Sequence, residues 1–436
     1  MNPAHPDQPP HARVAATSIV RTLRDAGHLA YFAGGCVRDE LLDLAPSDYD
    51  VATDATPDRV SALFPRSGEV GKSFGVVIVR LFGEVVEVAT FRTDDSYSDR
   101  RRPDAVRFST PEDDAQRRDY TVNALFLDPF GVPMAGIRAP RYGGAVIDYV
   151  GGMRDLDARV LRAVGDPHAR LDEDHLRALR GARLAARLGF DIEPATAAAI
   201  RAHASQLAGV SRERIGDEVR RILLHPTRAR GVALLQELAL EPSVLEAPPQ
   251  APGTALAAPT PGALPRLAAL PPDASVGLCL AAWALDRHAD PSRVPSADLV
   301  RDWRRALCLS NDERDEVADT LRLLAVLRTD WDAMGVAPRK RAAASAAFGG
   351  ALTLLAVESP SLGAARRADL AALAASGIAP PPLLGGDDLI ALGARPGPAF
   401  RGVLDSVYDA QLEGRVATAA QARDLARELL GGSGVS

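Results

Sequence analysis

The chain has 436 residues, 47% hydrophobic and 25% charged, with a net charge of −6; this is ordinary globular composition with room for roughly two to four domains. No run of about 18 apolar residues occurs, which excludes a helical membrane span by hydropathy, and the opening MNPAHPDQPPHARV has no apolar leader core. The three cysteines, Cys36, Cys279 and Cys308, are far apart and form no metal or CxxC spacing, so a reduced, cytoplasmic setting is expected.

Residues 1–13 read as a disordered lead-in. Residues 14–27 carry an amphipathic helical pattern stopped by Gly27. A short apolar strand, Leu29 to Ala33, runs into Gly34-Gly35, and a helix follows from about Val37 to Leu42. Tyr49 to Ala52 reads as a strand. Val76 to Leu81 and Val85 to Thr90 read as two strands joined by a turn, with weaker strand patterns at Val106 to Ser109 and Ala124 to Leu127. Residues 14–150 are therefore expected to form a head of mixed strands and helices. From about Asp172 apolar residues recur at helical spacing up to Gly189, and helical patterns continue to Leu240, so 151–241 reads as a helical neck. Residues 242–272 are rich in Pro and Ala and read as a linker. Residues 273–436 again read as helices.

Bases are almost all Arg; Lys occurs only at Lys72 and Lys340. Between Arg159 and Arg230 there are 14 Arg against 9 acids, a local positive excess within an acidic chain. Arg offers a planar donor fork for phosphates and base edges; genomic codon bias is the plainer account of the Arg/Lys ratio, but it does not explain the local clustering.

The densest chemical signal is Gly34-Gly35-Cys36-Val37-Arg38-Asp39 followed by Asp48-Tyr49-Asp50. In a strand, residues two apart share a face, so Asp48 and Asp50 present both carboxylates together. Two such groups repel unless a divalent cation neutralises them, and hard oxygen donors suit Mg2+. Glu87, flanked by Val86 and Val88, is the third candidate. Such a trio can run a two-metal displacement at phosphorus. The Gly34-Gly35 turn lets backbone approach a triphosphate, and Arg38 on the following helical turn is placed to grip phosphate. Taken singly, a DxD or a GG marks a turn or a solvated strand end; their ordered combination is what points to a metal-nucleotide site.

These residues resemble the bacterial tRNA nucleotidyltransferase/poly(A) polymerase family, the second class of CCA-adding enzymes. AGGCVRDELL and SDYDVAT look like its metal motif, EVATFR like the strand of its third carboxylate, and RRDYTVNAL like its ribose motif. YSDRRRPDAVRFS resembles the flexible segment before that motif, with Arg100 where Gly is usual. The stretch from Asp148 to Phe190 is similar to the hinge and base-reading helix, and Val210 to Leu223 to the next helical motif. Weaker echoes lie at Trp303 to Val317 and at Gly386 to Val416. The resemblance implies an α+β chain with a polymerase-β-like nucleotidyltransferase head on a mixed β-sheet, followed by an all-helical neck, body and tail. It implies Asp48, Asp50 and Glu87 as catalytic residues, with Asp48 and Asp50 holding Mg2+. It implies nucleotide contacts from Gly34, Gly35, Arg38, Arg118, Asp119, Asn123, Asp174, Arg177 and Arg180, with Asp119 and Asn123 at the ribose. Lys72 could approach phosphate or stand as an exposed turn lysine. Two departures stand out: residues 138–145 enlarge the stretch before the hinge, and none of the eight His is followed by Asp, so an HD phosphohydrolase signature is missing.

Asp174 and Arg177, three apart on an expected helix, share a face. Cytosine and adenine each offer an amino donor next to a ring-nitrogen acceptor, which Asp174 and Arg177 match; uracil reverses the order. A buried mismatch leaves charged groups unpaired at roughly 1–3 kcal/mol each. An ordinary surface ion pair is the plainer reading of the spacing alone. The expected reaction is attack of a tRNA 3′-hydroxyl on the α-phosphate of CTP or ATP, with pyrophosphate leaving. The rivals are A-only or CC-only addition, poly(A) tailing, a non-catalytic RNA-binding protein and an antibiotic-modifying nucleotidyltransferase. By the family resemblance the Tyr97 to Pro103 segment serves the switch to A, which disfavours CC-only addition. Oligomeric state is left open.

Overall fold

The computed structural model describes residues 9–65, 67–68, 75–94, 106–134, 136, 138–246, 264–287, 297–395 and 397–432. Lys72 and the Tyr97 to Pro103 segment lie outside these. The chain divides into two compact units, residues 1–222 with 230–249, and residues 223–229 with 250–436.

The first unit begins with α1 (His11–Asp25), which starts three residues before the amphipathic pattern, directly after extended Pro10. Its apolar stripe, Ala15, Ala16, Ile19, Val20 and Leu23, is fully buried. Then come β1 (Ala30–Ala33), α2 (Gly35–Leu41), β2 (Asp50–Thr53), α3 (Pro57–Leu63), β3 (Ser67–Gly68), β4 (Val76–Leu81), β5 (Glu84–Thr90), β6 (Arg92–Asp94), β7 (Val106–Phe108), α4 (Pro111–Gln116), β8 (Phe126–Asp128) and β9 (Ala145–Ile147). One sheet of seven strands runs in the order β3-β4-β5-β2-β1-β8-β9. Only β2 and β5 pair in parallel in it, Val51 facing Val88; the other neighbours are antiparallel. Phe91 and Phe126 meet edge-on at 5.9 Å in the core beneath the sheet.

The neck follows as α5 (Gly152–Asp157), β10 (Val160–Leu161), α6 (Pro167–Glu173), α7 (Leu176–Leu188), β11 (Asp191–Ile192), α8 (Pro194–His203), α9 (Arg212–Leu223), α10 (Arg228–Glu237) and α11 (Glu241–Val244). Gly181 lets α7 close on the head: a Cβ there would lie 2.2 Å from the Tyr120 hydroxyl, which donates to the Arg177 carbonyl at 2.6 Å.

The second unit is all helix among the described residues: α12 (Pro265–Ala269), α13 (Val276–Asp286), α14 (Ala297–Leu307), α15 (Asn311–Ala325), α16 (Val336–Ala343), α17 (Phe348–Glu358), α18 (Pro360–Ala374), α19 (Gly386–Ala391), α20 (Pro398–Leu412) and α21 (Ala419–Gly432). Trp283 and Trp331 are fully buried in it, and Leu389, Val407, Ala422 and Ala426 form a core for its last three helices. The Pro/Ala-rich stretch read as a linker is ordered at both ends. α11 takes one end and α12 the other, with Leu264, Leu267 and Leu270 buried; residues 247–263 lie outside the described residues. Arg228 explains part of that order. It is buried, and its guanidinium donates to the carbonyls of Leu223, Pro271 and Pro272 at 2.7–2.9 Å.

Candidate active site

Asp50 opens β2, and Asp48 lies in the loop before it rather than within the strand as expected. What aims them is Tyr49. Its ring is buried edge-on to Phe32, and its hydroxyl donates to the buried Glu40 carboxylate at 2.8 Å. Glu40 is held in turn by Arg13 at 2.8 Å. With Tyr49 locked inward, its two neighbours point to the opposite side. The β2–β5 register places Asp50 beside Glu87. Burial, then the charges of Asp48 and Glu87, push the Asp50 carboxyl up to about 7, against the lowering pull of Arg118. A carboxyl whose ionisation two acidic neighbours oppose, with hard oxygen donors and no soft ligand among the three, fits a magnesium-type cation. Their oxygens are not drawn tightly together: the only triad of His, Cys, Asp or Glu among the described residues with ligand atoms all within 4.8 Å of one another is elsewhere, at Asp172, His175 and His203. Cys36, next to this site, has its thiol pushed up to about 12 by burial and by Asp50, and is inert as a nucleophile.

A cavity of about 750 Å3 opens over Asp48 and Asp50. Of the residues expected at the nucleotide, Gly34, Gly35, Arg38, Arg118, Asp119, Asn123, Asp174, Arg177 and Arg180 all line it; Glu87 does not. Gly34 has φ +77° and would bring a Cβ to 3.0 Å from Arg118, so a side chain there is both strained and obstructive. Arg38 is buried rather than free to grip phosphate. It donates to Asp39 at 2.7 Å and, through Nη1, to the Asn123 side-chain oxygen. Arg118 is tied to Asp114 at 2.9 Å and to the Asn123 carbonyl at 3.1 Å. Asp119 accepts from Arg180 at 2.9 Å, from Asn123 at 3.1 Å and from the Tyr120 N–H at 2.8 Å. Burial alone would raise the Asp119 carboxyl, but Arg180 and these donors hold it well below the usual carboxylate range.

Asp174 and Arg177 do not share one helix. α6 ends at Glu173, and Asp174 sits in extended backbone before α7. The reason is local. The Asp174 carboxylate accepts from the Leu176 N–H at 3.0 Å and its carbonyl from the Arg177 N–H, so it starts a new helix instead of continuing the old one. Its other oxygen pairs with Arg214 at 2.6 Å, while Arg177 pairs with Glu173 and donates to the Arg170 carbonyl at 2.8 Å.

Sequence reasoning missed Asp39, Arg117, Arg183, Arg187, Arg214 and Arg221, all in the cavity wall. A signal was present: Arg177, Arg180, Arg183 and Arg187 recur at spacings of three and four, one stripe along α7. In all, nine arginines and five aspartates line the cavity.

Residues 30–162 match the family model described as the poly A polymerase head domain, and residues 189–248 the one described as a probable RNA and SrmB-binding site of polymerase A. Over these residues the chain is similar to the tRNA nucleotidyltransferase/poly(A) polymerase family. The CCA-adding enzyme of Bacillus subtilis is 44% identical over 211 residues, 48% of this chain and 50% of that one. The CCA-adding enzyme of Geobacillus thermodenitrificans is 41% identical over 226 residues, 52% and 53%. The match thus spans about half the length of these curated relatives. A solved Bacillus stearothermophilus CCA-adding enzyme, in complex with CTP, superposes with a TM-score of 0.77 at 29% identity, covering 98% of this chain and 99% of that one. The fold is α+β, a polymerase-β-like head followed by helices. No helix among the described residues is long and apolar enough to cross a membrane.

Proposed function

We propose that this chain adds nucleotides to the 3′ end of tRNA without a template, building the terminal CCA from CTP and ATP and releasing pyrophosphate. What supports this most is the cavity: its lining brings together Asp48 and Asp50, suited to a divalent cation, the hydrogen-bonded pair Asp119 and Asn123, and Asp174 and Arg177. The names of the relatives, and the CTP in the Bacillus stearothermophilus structure, point to the same substrates.

Asp48 and Asp50, with Glu87 behind them, would hold Mg2+, which supplies charge neutralisation at the triphosphate and activates the attacking 3′-hydroxyl. Gly34 and Gly35 leave room for the triphosphate, and Arg118 balances its charge. Asp119, kept ionised by Arg180, accepts from the 2′-hydroxyl of the incoming ribose, with Asn123 beside it. Asp174 presents a carboxylate fixed by the Leu176 N–H on one oxygen and Arg214 on the other. A carboxylate offers about four acceptor positions, so two partners leave room for the amino group of C or A. Arg177 donates to the neighbouring ring nitrogen. Catalysis on this plan is positioning and charge stabilisation, without a covalent enzyme intermediate. The cavity arginines and the neck would hold the acceptor arm by its phosphates, making binding salt-sensitive. The buried Cys36 and Cys279 and the exposed Cys308, all free thiols, suit a cytoplasmic enzyme.

The test is to incubate the protein with tRNA ending at the discriminator base, at C, or at CC, with CTP and ATP separately and together, and to sequence the product ends. Completion to CCA on all three supports the proposal. Addition of A only or CC only, long A tails on unrelated RNA, or RNA retention without extension would each replace it with the corresponding rival.

A further inference from the structure

A second polar cluster lies in the neck, outside the cavity wall. His168 and Asp172 stand four apart on α6, His175 precedes α7, and His203 ends α8, which packs along α6. His175 and His203 are buried, with 2% and 7% exposure. Asp172, His175 and His203 each bring a ligand atom within 4.8 Å of the other two. The Nδ1 of His203 is 3.4 Å from Asp172 Oδ1, yet this buried nitrogen makes no hydrogen bond. The Nε2 of the same ring is 3.1 Å from His168 Nδ1.

The separations suit a cation better than a hydrogen-bond chain. An ionised imidazole–carboxylate hydrogen bond closes to about 2.7–2.9 Å. Two ligands bound at about 2.0–2.1 Å around a tetrahedral ion stand roughly 3.3 Å apart. A metal-bound histidine also directs its second ring nitrogen at an acceptor that fixes its tautomer, and His168 Nδ1 occupies that position.

We propose that Asp172, His175 and His203 form a site for one zinc-class divalent cation, with His168 orienting His203. Two imidazoles and one carboxylate suit Zn2+ and its first-row neighbours, whereas Mg2+ takes oxygen donors. Three protein ligands leave a coordination position for water. The ion would tie α6, the break before α7 and the end of α8 together. Asp174 lies in that break, so the same ion would brace the turn from which Asp174 and Arg177 reach the cavity. The site is independent of what the cavity binds.

The full chain carrying D48A and D50A, which removes the competing carboxylates, is stripped with chelator and titrated with Co2+ alone, then with Zn2+. One equivalent of Co2+ with visible ligand-field absorption, displaced by one Zn2+ with a rise in Tm, is expected. The Asp172 side chain is largely exposed, so adding D172A should preserve the circular dichroism spectrum and abolish the absorption; H168Q should weaken binding about 10–100-fold. Absence of the absorption, or its persistence in the D172A chain, overturns the site. Should D172A unfold, zinc K-edge scattering of the unmutated chain decides: two imidazole shells support the site, and oxygen-only scattering or no bound zinc rejects it, because the head carboxylates contain no imidazole.

Discussion

The two walls of the cavity handle charge in opposite ways. On the head side, Asp48 and Asp50 lie together with Glu87 behind them, outside the cavity wall, and burial with the charges of Asp48 and Glu87 lifts Asp50 to about 7. On the side facing α7 the carboxylates are matched by arginines: Asp119, from the head, with Arg180, Asp174 with Arg214 and, behind the wall, Glu218 with Arg183, at 2.6–2.7 Å. The head wall is frustrated until a cation joins it, whereas the neck wall is settled as it stands. On the proposed function, the unbalanced wall would receive metal and triphosphate, and the matched wall would read the base edge, because discrimination requires donors and acceptors that do not relax around the wrong base.

The largest effect should come from removing the frustration. D48A or D50A should lower kcat for nucleotide addition by about 10³-fold or more, since several kcal/mol of charge stabilisation goes with the cation. The same substitutions should leave Tm unchanged or raised without divalent cation, because like charges are relieved. A variant that loses activity together with stability would show that these carboxylates serve the fold instead. Next in size is the settled wall. D174A should reduce the preference for CTP and ATP over UTP by about 10–100-fold, the equivalent of 1–3 kcal/mol. It is checked by competition among the three triphosphates, and unchanged selectivity would remove Asp174 from base reading. D119A leaves Arg180 without its carboxylate. The Arg180 side chain is 37% exposed, so the cost should be about 1–2 kcal/mol, below that of a fully buried pair. That corresponds to a Tm fall of about 2–4 °C per kcal/mol, accompanied by weaker rejection of deoxynucleotides.

The same contrast separates what was legible in the sequence from what was not. β4 runs over Val76–Leu81 as read from its apolar run, and β5 begins one residue early. Local alternation suffices for such elements. The ordered motifs also named nine residues expected at a nucleotide, and the fold gathers all nine in one cavity. The missing parts are long-range or only two residues wide. Tyr49, Glu40 and Arg13 aim the aspartates through bonds spanning 9 and 27 residues, which no local pattern reports. The break at Asp174 and His175 is two residues long, and only the side-chain bond of Asp174 to Leu176 reveals it. Part of the local arginine excess serves internal partners: Arg180, Arg183, Arg187 and Arg214 each meet an acid, and Arg228 meets carbonyls.

The remaining expected effect is a dependence of stability on pH with opposite signs from the two kinds of carboxylate. Asp50 ordinarily titrates near 3.8 and is raised to about 7 in the fold, so between these values the folded chain holds a proton that the unfolded chain has lost. Its contribution to stability therefore falls as pH rises through that window and is level above it. Asp119 and Asp114 are depressed by their arginines despite burial. They contribute stability above the ordinary carboxylate range, and lose it as pH falls through their lowered values. In chelator, Tm should decline steadily from about pH 4 to about pH 7 on the Asp50 account; magnesium should cancel that decline by binding the ionised form, so the gap between the two curves widens with pH. D50N should flatten the chelator curve while leaving the acid limb of Asp114 and Asp119 intact. Parallel curves with and without magnesium would mean that the head wall is no more frustrated than the neck wall, and the contrast between them would lose its physical basis.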